Sequence, residues 1–320
     1  MSARDDHQHS AISRAFAIAV VLNAVYVVAE FGYGIVADSV ALLADAAHNL
    51  GDVLGLLLAW GAAALARRAP AGRRTYGLRK STVLAALANA LLLIAATGGL
   101  TWEAIQRLGD PPEPAAGTMM LVAGIGVVVN SACAWIILRS GHAHGHGHAH
   151  DHGHGHGHGH DHSHSHGEDL NLRGAFLHLA ADAAISVGVV ITGALLAWTG
   201  WRWLDPVVSL AIALVILIGT WSLLREALDL ALDAAPKHID IDQVREYLAA
   251  RPGVLEVHDL HVWALGTREV ALTAHLVVEG PSPDLITEAE RELARRFGIA
   301  HTTLQLEPPG AEHCQQRECL

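Results

Sequence analysis

The chain has 320 residues, of which 52% are hydrophobic and only 17% are charged, and its mean hydropathy is +0.32. This composition is too apolar for an ordinary soluble protein of this length. The formal net charge of -11 comes partly from an acidic C-terminal region, and it argues against nucleic acid as a partner.

Six apolar runs occupy most of the first 230 residues, at residues 12–36, 40–65, 83–108, 119–138, 172–198 and 203–224. Each run is about as long as the roughly 20 residues that a helix needs to cross a bilayer. We therefore predict an α-helical membrane protein with six transmembrane helices. Basic residues crowd the connection between the second and third runs, so the positive-inside rule places both termini and the fourth-to-fifth connection in the cytoplasm.

The connection between the fourth and fifth runs is a repeat of His and Gly that cannot form a packed core. Its thirteen imidazoles, at nearly every second position, suit the exchange of a borderline metal ion among many weak sites. The alternative is a low-complexity linker, because composition alone does not prove binding. The candidate ligands are His142, His144, His146, His148, His150, His152, His154, His156, His158, His160, His162, His164 and His166.

After Pro236 the sequence changes to the pattern of a small soluble domain. Capping carboxylates and a Ser-Pro step mark two helix starts, and apolar stretches between turn residues mark strands. The order α-β-β-α-β predicts a small α+β sandwich. The predicted elements are a helix capped by Asp240 or Asp242 and ending at Ala250, strands 254–265 and 270–278 with a turn at Gly266, a helix over 284–297 that follows Ser282 and Pro283, and a strand over 302–306.

One four-residue spacing occurs twice inside the apolar runs, as His48-x-x-x-Asp52 and His178-x-x-x-Asp182. Four residues are slightly more than one helical turn, so each pair projects from one face of its helix. Two imidazoles and two carboxylates suit a tetrahedral divalent cation such as zinc, whereas calcium or magnesium prefers more oxygen ligands and bound water. At mid-bilayer the two Asp alone cost about 5 to 7 kcal/mol, which favours a functional interpretation.

Asp45 and Asn49 extend the polar stripe of the first pair, and we interpret them as candidate pathway residues. The alternative for this stripe is structural, with polar side chains that hold neighbouring helices together. Repetition of the same pair in the fifth run favours the functional interpretation. Glu30, in the first run, fits either a pathway residue or a residue beside a water-filled cavity, and the sequence leaves both open.

Six segments, taken in order, resemble motifs of the cation diffusion facilitator family of zinc transporters, above all its bacterial members with a His-rich loop. The segments are LLADAAHNLGD, YGLRKSTVLAALANA, VVVNSACAW, NLRGAFLHLAADAAISVGVV, WLDPVVSLAIAL and VHDLHVWAL, and the resemblance runs over nearly the whole chain. It implies a homodimeric metal/proton antiporter with six spans per subunit and a ferredoxin-like cytoplasmic domain. It also implies that the positions matching the family's transport site are His48, Asp52, His178 and Asp182.

The same resemblance implies regulatory metal ligands in the cytoplasmic domain, at His258, His275, His301 and Glu307. It leaves out His261, which is three residues from His258 and points to the opposite face of a regular strand. The alternative is a set of ordinary polar side chains on a half-solvated sheet.

Two features fit the family pattern less well. Relatives often carry Glu at the third-span position that Thr82 holds here, so no role of that Glu transfers to this chain. The two tails carry further His and Cys residues, which serve as borrowed ligands in some relatives, although a tail without that role is the simpler interpretation. These residues are His7, His9, His313, Cys314 and Cys319.

We therefore predict a secondary transporter of the bacterial inner membrane, not an enzyme, that exports zinc in exchange for protons. A metal ligand must be unprotonated, and the same imidazoles and carboxylates accept protons when the metal leaves. The expected partners are divalent metal ions, protons, the lipid bilayer and a second copy of the chain, with zinc also as a regulatory ligand. One alternative is the same mechanism with cobalt, cadmium or nickel. The other is a membrane metal-storage or sensor protein whose function lies in the His-rich loop.

These expectations divide the chain into six parts. They are a cytoplasmic tail at 1–11, the first four transmembrane helices at 12–140, the His-rich loop at 141–168, the last two helices at 169–230, a cytoplasmic metal-binding and dimerisation domain at 231–310 and a C-terminal tail at 311–320.

Overall fold

The computed structural model describes residues 21–142, 165–280 and 283–310, and it describes side chains over 21–135, 179–280 and 284–310. The chain divides into two compact units. The first unit covers Met1–Leu54 and Leu92–Gly219, and the second covers Gly55–Leu91 and Thr220–Leu320.

Up to residue 231, most of the residues that the structure describes lie in six apolar helices. Five of them are long and apolar enough to cross a bilayer, and only 17% to 39% of the most apolar stretch of each is buried within the protein. The remaining apolar surface needs a lipid environment, which agrees with the predicted membrane-spanning fold. The predicted first run begins before the described residues. The helices are α1 Val21–Val36, α2 Val40–Ala66, α3 Ser81–Arg107, α4 Ala116–His142, α5 Ser165–Thr199 and α6 Leu204–Ala231.

The core of the first unit joins α2, α4, α5 and α6 through small and medium apolar side chains such as Leu42, Met119 and Val189. Glycine permits the close approach of α1 to α4, because a Cβ on Gly126 would lie 2.2 Å from the hydroxyl oxygen of Tyr26. The absence of a side chain at this glycine therefore lets the two helices pack closely, as is usual in membrane bundles.

The start of α2 is held by a carboxylate from a distant helix. Asp205, in the first turn of α6, accepts a hydrogen bond from the Val40 N–H at 2.8 Å and from the Ala41 N–H at 3.3 Å. It also accepts one from the Ser39 hydroxyl at 2.5 Å, and Ser39 Oγ in turn accepts the Leu42 N–H at 3.1 Å. These bonds satisfy N–H groups that have no partner within the helix.

The C-terminal part of the second unit is a three-stranded sheet with two helices. The strand order is β1-β2-β3, with β1 and β2 antiparallel and β2 and β3 parallel. The helix between β2 and β3 provides the crossover that a parallel pair requires. The elements are α7 Ile241–Ala249, β1 Val254–Ala264, β2 Val270–Val278, α8 Pro283–Phe297 and β3 Ile299–Glu307.

This order agrees with the predicted α-β-β-α-β pattern. Asp240 caps α7, accepting hydrogen bonds from the N–H groups of Asp242 and Gln243. The last strand is longer than predicted, because its first residue Ile299 is fully buried and pairs with Val270 of the central strand. The pattern of apolar residues alone did not predict this parallel pairing, since it depends on a partner far away in sequence.

The connection between α2 and α3 contacts the turn between β1 and β2 within the second unit. The Arg79 guanidinium donates to Glu269 at 2.5 Å, and Lys80 forms an ion pair with Asp233. The Thr267 N–H donates to Thr82 Oγ1 at 3.0 Å. Thr82 therefore has a structural role as a hydrogen-bond acceptor for this turn.

Candidate metal centres

The first candidate centre lies in the first unit, where α2 contributes His48 and Asp52 and α5 contributes Asp182. His48 Nε2 lies 3.3 Å from Asp182 Oδ1 and 3.9 Å from Asp52 Oδ2. One ligand atom from each of the three lies within 4.8 Å of the others. Ligands about 2.1 Å from a tetrahedral zinc ion are about 3.4 Å apart, so only a small adjustment would let these atoms share one ion.

The three side chains differ in their exposure. Asp182 is 3% exposed, whereas His48 is 18% and Asp52 is 25% exposed. A buried carboxylate is costly unless it is paired, and here its neighbour is an imidazole from the other helix. The centre thus keeps one acidic ligand out of bulk water while its other two ligands stay accessible to an incoming ion.

The fourth predicted ligand, His178, lies in α5 four residues before Asp182, so both positions belong to one face of that helix. The side chain of His178 is outside the described residues. Of the four predicted ligands, three are therefore brought together by the fold and the fourth is positioned by its helix only.

Asp45 and Asn49, which lie in α2 with His48 and Asp52, belong to a further cluster of buried polar side chains. The Asn49 side-chain amide donates to Glu30 Oε2 at 3.1 Å, and the Ser186 hydroxyl donates to Asp45 Oδ2 at 2.8 Å. The Tyr26 hydroxyl donates to Glu30 Oε1 at 2.6 Å. The cluster links α1, α2 and α5 through hydrogen bonds to Glu30 and Asp45, and both interpretations of Glu30 stay predictions. The sequence analysis did not identify Tyr26 and Ser186 as members of this cluster, although the Tyr26-x-x-x-Glu30 spacing places both side chains on one helix face.

The second candidate centre lies on the sheet of the second unit and takes one ligand from each strand. His258 Nε2 lies 3.1 Å from Glu307 Oε2, and His275 Nδ1 lies 3.0 Å from Glu307 Oε1. His258 and His275 are direct partners in the antiparallel pair, and Glu307 pairs with Val277 on the other side. One ligand atom from each of His258, His275 and Glu307 lies within 4.8 Å of the others.

Glu307 is held in its ionised form. Desolvation raises the pKa of Glu307, but the contact with His258 and the charges of His258 and His275 outweigh it, so the net pKa lies below its ordinary value. Because the pKa is lower in the folded state than in the unfolded chain, the ionised carboxylate stabilises the fold at pH values above the ordinary glutamate pKa. This stabilisation is lost as the pH falls through the lowered, folded-state pKa. At neutral pH the carboxylate is therefore in the form that binds metal.

Two other histidines of the sheet lie apart from this centre. His301 pairs with Ala271, four residues from His275 along β2, and its ring lies 5.5 Å from that of Tyr76. Four residues of strand span about 13 Å, so the fold does not bring His301 to the other three predicted ligands. His261 is exposed and its Nε2 lies 2.9 Å from Asp259 Oδ1.

Asp259 is a residue that the sequence reasoning missed. Its φ of 50° coincides with the register shift between His258 and His261, which marks a β-bulge. The bulge brings Asp259 Oδ2 to 3.5 Å from His275 Nε2, so His275 lies between two carboxylates. The HDLH sequence offered the only signal for it.

Several predicted ligands cannot be placed. His142 and His166 lie in α4 and α5, but their side chains are outside the described residues. The other histidines of the His-rich loop, and His7, His9, His313, Cys314 and Cys319 of the tails, also lie outside the described residues.

Comparison with known families decides the class of this protein. Residues 16–230 match the model of the cation efflux transmembrane domain, and residues 236–309 match that of the cation efflux protein cytoplasmic domain. The chain belongs to the cation efflux family, also known as the cation diffusion facilitators. It is therefore a multi-pass membrane transporter of cations and not an enzyme.

Individual members of the cation efflux family resemble the chain over most of its length. The metal cation efflux system protein CzcD of Cupriavidus metallidurans is 33% identical, covering 96% of this chain and 90% of its own. The cadmium, cobalt and zinc/H(+)-K(+) antiporter of Bacillus subtilis is 29% identical, covering 96% and 93%. The zinc transporter ZitB of Escherichia coli is 32% identical, covering 89% and 84%.

Proposed function

We propose that this cation efflux protein exports zinc from the cytoplasm in exchange for protons. The observation that carries the proposal is the convergence of His48, Asp52 and Asp182 from two helices. With His178 as the fourth ligand, two imidazoles and two carboxylates bind one divalent cation. The two carboxylate charges neutralise that of the ion, which lowers the free energy of holding it at membrane depth.

Proton exchange follows from the same side chains. Metal and protons compete for the same lone pairs, because each ligand must be unprotonated to bind metal. Histidine as a residue type suits this competition, since its ordinary pKa of about 6.5 lies near working pH. If the helix bundle exposes the centre alternately to the two sides, an inward proton gradient drives zinc outward.

Zinc is the substrate that the ligand set and the relatives favour. Nitrogen and carboxylate donors without additional oxygens suit zinc better than calcium or magnesium. One relative is named a zinc transporter, and another is named for cadmium and cobalt as well as zinc. Cobalt, cadmium and nickel therefore stay as alternative substrates, because geometry and availability select among these metals more than ligand type does.

The proposal extends to the topology and assembly of the chain. Arg67, Arg68, Arg73, Arg74, Arg79 and Lys80 lie on or beside the α2–α3 connection, which the positive-inside rule assigns to the cytoplasm. Both termini and the His-rich loop are then cytoplasmic, and the membrane is the bacterial inner membrane. A homodimer is supported by the match of residues 236–309 to the cytoplasmic domain model.

The sheet centre is proposed as a regulatory zinc site. Two imidazoles and the ionised Glu307 form a donor set that fits zinc, and Asp259 provides a further carboxylate beside His275. Such a site would bind zinc when the cytoplasmic concentration rises and would stabilise the domain in that state. The His-rich loop would supply weakly held zinc to the transporter.

A flux measurement tests the proposed function. The full chain is reconstituted in liposomes, a pH gradient is imposed, and zinc movement and proton movement are followed together. We expect zinc flux that requires the pH gradient and is accompanied by proton flux in the opposite direction. Zinc flux that is independent of the gradient would contradict antiport. If cobalt, cadmium or nickel were transported faster than zinc when both metals are present, that metal would be the main substrate instead of zinc.

Deleting residues 141–167 distinguishes transport from metal storage. The deletion removes the thirteen histidines of the loop but none of the ligands in α2 or α5, so it should lower the apparent affinity and leave transport in place. If the deletion abolished flux while the intramembrane ligands proved dispensable, the function would lie in the loop.

The regulatory site predicts a loss of bound zinc without loss of transport. His275→Ala removes the side chain that faces both Glu307 and Asp259, and we expect the chain to bind one zinc ion fewer per subunit, with flux retained at high zinc. His301→Ala is the matched control, because it removes a histidine of the same sheet that lies outside the centre. Equal zinc loss in both variants, measured by equilibrium dialysis, would contradict this assignment.

A further inference from the structure

A cavity of about 760 Å³ in the second unit has no role in the proposed transport cycle. It lies among the facing ends of α2 and α3, the connection between them, Leu223 of α6 and the β1–β2 turn. Its volume falls in the range of roughly 300 to 1,000 Å³ that is typical of sites for small molecules.

The floor of the cavity is mostly apolar, with small residues from two helices and one amide side chain, Asn89. Gly55, Ala59 and Ala63 come from α2, and Ala85 and Ala86 come from α3. Small residues usually let membrane helices touch. Gly55 allows such a contact, because a Cβ there would lie 2.8 Å from the side-chain nitrogen of Asn89. The alanines line open space instead, and an apolar surface of this kind suits a hydrocarbon chain.

The rim of the cavity is strongly basic. It carries Arg67, Arg68, Arg79 and Arg268 against a single carboxylate, Glu269, which is paired with Arg79. Among the residues whose side chains the structure describes, no carboxylate forms an ion pair with Arg67, Arg68 or Arg268, and all three are exposed. A metal cation would be repelled from this rim, whereas an anionic group would be attracted.

The rim is fixed by the backbone that carries it. Gly77 has a φ of 70°, and a Cβ there would lie 3.0 Å from the carbonyl oxygen of Arg68, so the connection folds back closely on the end of α2. The Ser81 hydroxyl donates to the Ala62 carbonyl at 2.9 Å, which ties the start of α3 to α2. Arginines on an ordered backbone lose less conformational entropy when they bind an anion.

We propose that this cavity binds an anionic phospholipid. The headgroup phosphate is held by Arg67, Arg68 and Arg268, because guanidinium groups bind phosphate oxygens through paired hydrogen bonds. An acyl chain lies along the floor formed by Ala59, Ala63 and Ala85. Basic pockets between transmembrane helices at the cytoplasmic surface are known binding sites for such headgroups. The positive-inside rule explains arginines at this level, but it does not require an apolar cavity beneath them.

Lipid retention by the full chain tests the proposal. The protein is purified from membranes that contain phosphatidylglycerol and phosphatidylethanolamine, and bound lipids are identified by native mass spectrometry. We expect phosphatidylglycerol to be enriched on the protein. The variant Arg67→Gln/Arg68→Gln/Arg268→Gln should weaken its binding about fivefold for each arginine removed.

Two comparisons test whether retention of the lipid depends on the cavity. Arg73→Gln/Arg74→Gln removes charge from the same connection but not from the cavity lining, so it should retain the lipid. Ala63→Trp keeps every arginine but fills the floor, so it should lose the lipid. Equal losses in the two arginine variants would indicate nonspecific surface attraction and would overturn the proposal.

Thermal unfolding in nanodiscs identifies the source of the phosphate. We expect phosphatidylglycerol to raise the melting temperature of the parent chain but not that of the triple arginine variant. If inorganic phosphate in phosphatidylcholine nanodiscs gave the same increase, the site would bind a free anion instead of a lipid. A dimer that retains no anionic lipid would likewise overturn the proposal and indicate that a second copy of the chain fills the cavity.

Discussion

Asp182→Asn is expected to reduce zinc flux in proteoliposomes by about a hundredfold or more, because losing even a group that only orients a metal ligand lowers metal affinity by about 10- to 100-fold. The amide has the shape of the carboxylate but neither its charge nor its affinity for zinc. His48→Ala should have a similar effect, since His48 Nε2 lies within 3.3 Å of Asp182 Oδ1 and 3.9 Å of Asp52 Oδ2. The measurement is the initial rate of zinc movement under an imposed pH gradient.

Glu103→Gln is the matched control for these variants. It neutralises a half-exposed carboxylate at the end of α3 that forms an ion pair with Arg107, and it should transport at the parent rate. Zinc binding should be measured in the His275→Ala background, so that the sheet centre does not obscure the loss of the intramembrane ion. Parent-like flux from Asp182→Asn or His48→Ala in a folded protein would refute the proposed transport site.

Asp205→Ala is expected to lower the free energy of unfolding by about 3 to 5 kcal/mol. The substitution leaves the N–H groups of Val40 and Ala41 without their acceptor at the buried start of α2. It also removes the acceptor of the Ser39 hydroxyl. We expect a fall in the apparent melting temperature on the order of 10 °C in detergent.

Two further variants separate this effect from general loss of charge. Asp229→Ala removes an exposed carboxylate from the same helix and should leave the melting temperature nearly unchanged. Ser39→Ala removes the local cap of Leu42 and one hydrogen bond to Asp205 but leaves the acceptor of the Val40 and Ala41 N–H groups, so it should cost only about 1 to 2 kcal/mol. A melting temperature for Asp205→Ala equal to that of Asp229→Ala would mean that this carboxylate does not hold α2.

In the cytoplasmic sheet, the sequence did not predict the position of Asp259 or that of His301. Alternation along a regular strand separates His258 from His261, but it gives no sign of the bulge that turns Asp259 toward His275. The resemblance grouped His301 with the other ligands. In the parallel register Glu307 pairs with Val277, while His301 pairs with Ala271 at the far end of the strand. Register between strands depends on contacts across the sheet, which a single strand does not encode.

The buried cluster around Glu30 gives a second example. The sequence identified Glu30, Asp45 and Asn49 as costly polar residues in apolar runs, because burial of each one alone is unfavourable. It could not identify their partners. The hydrogen bonds from Tyr26 and Ser186 depend on which faces of α1, α2 and α5 pack together.

The sequence by itself determined the apolar helices, the order of elements in the cytoplasmic domain and the two His-x-x-x-Asp spacings. These are local features, since helical and strand periodicity is readable within a short window. Only the tertiary structure decided that Asp182 reaches His48, that Asp205 holds the start of α2 and that an arginine-rimmed cavity forms beside the β1–β2 turn. Each of these joins residues far apart in the chain, and their distances are set by how helices and strands pack, which no local pattern specifies.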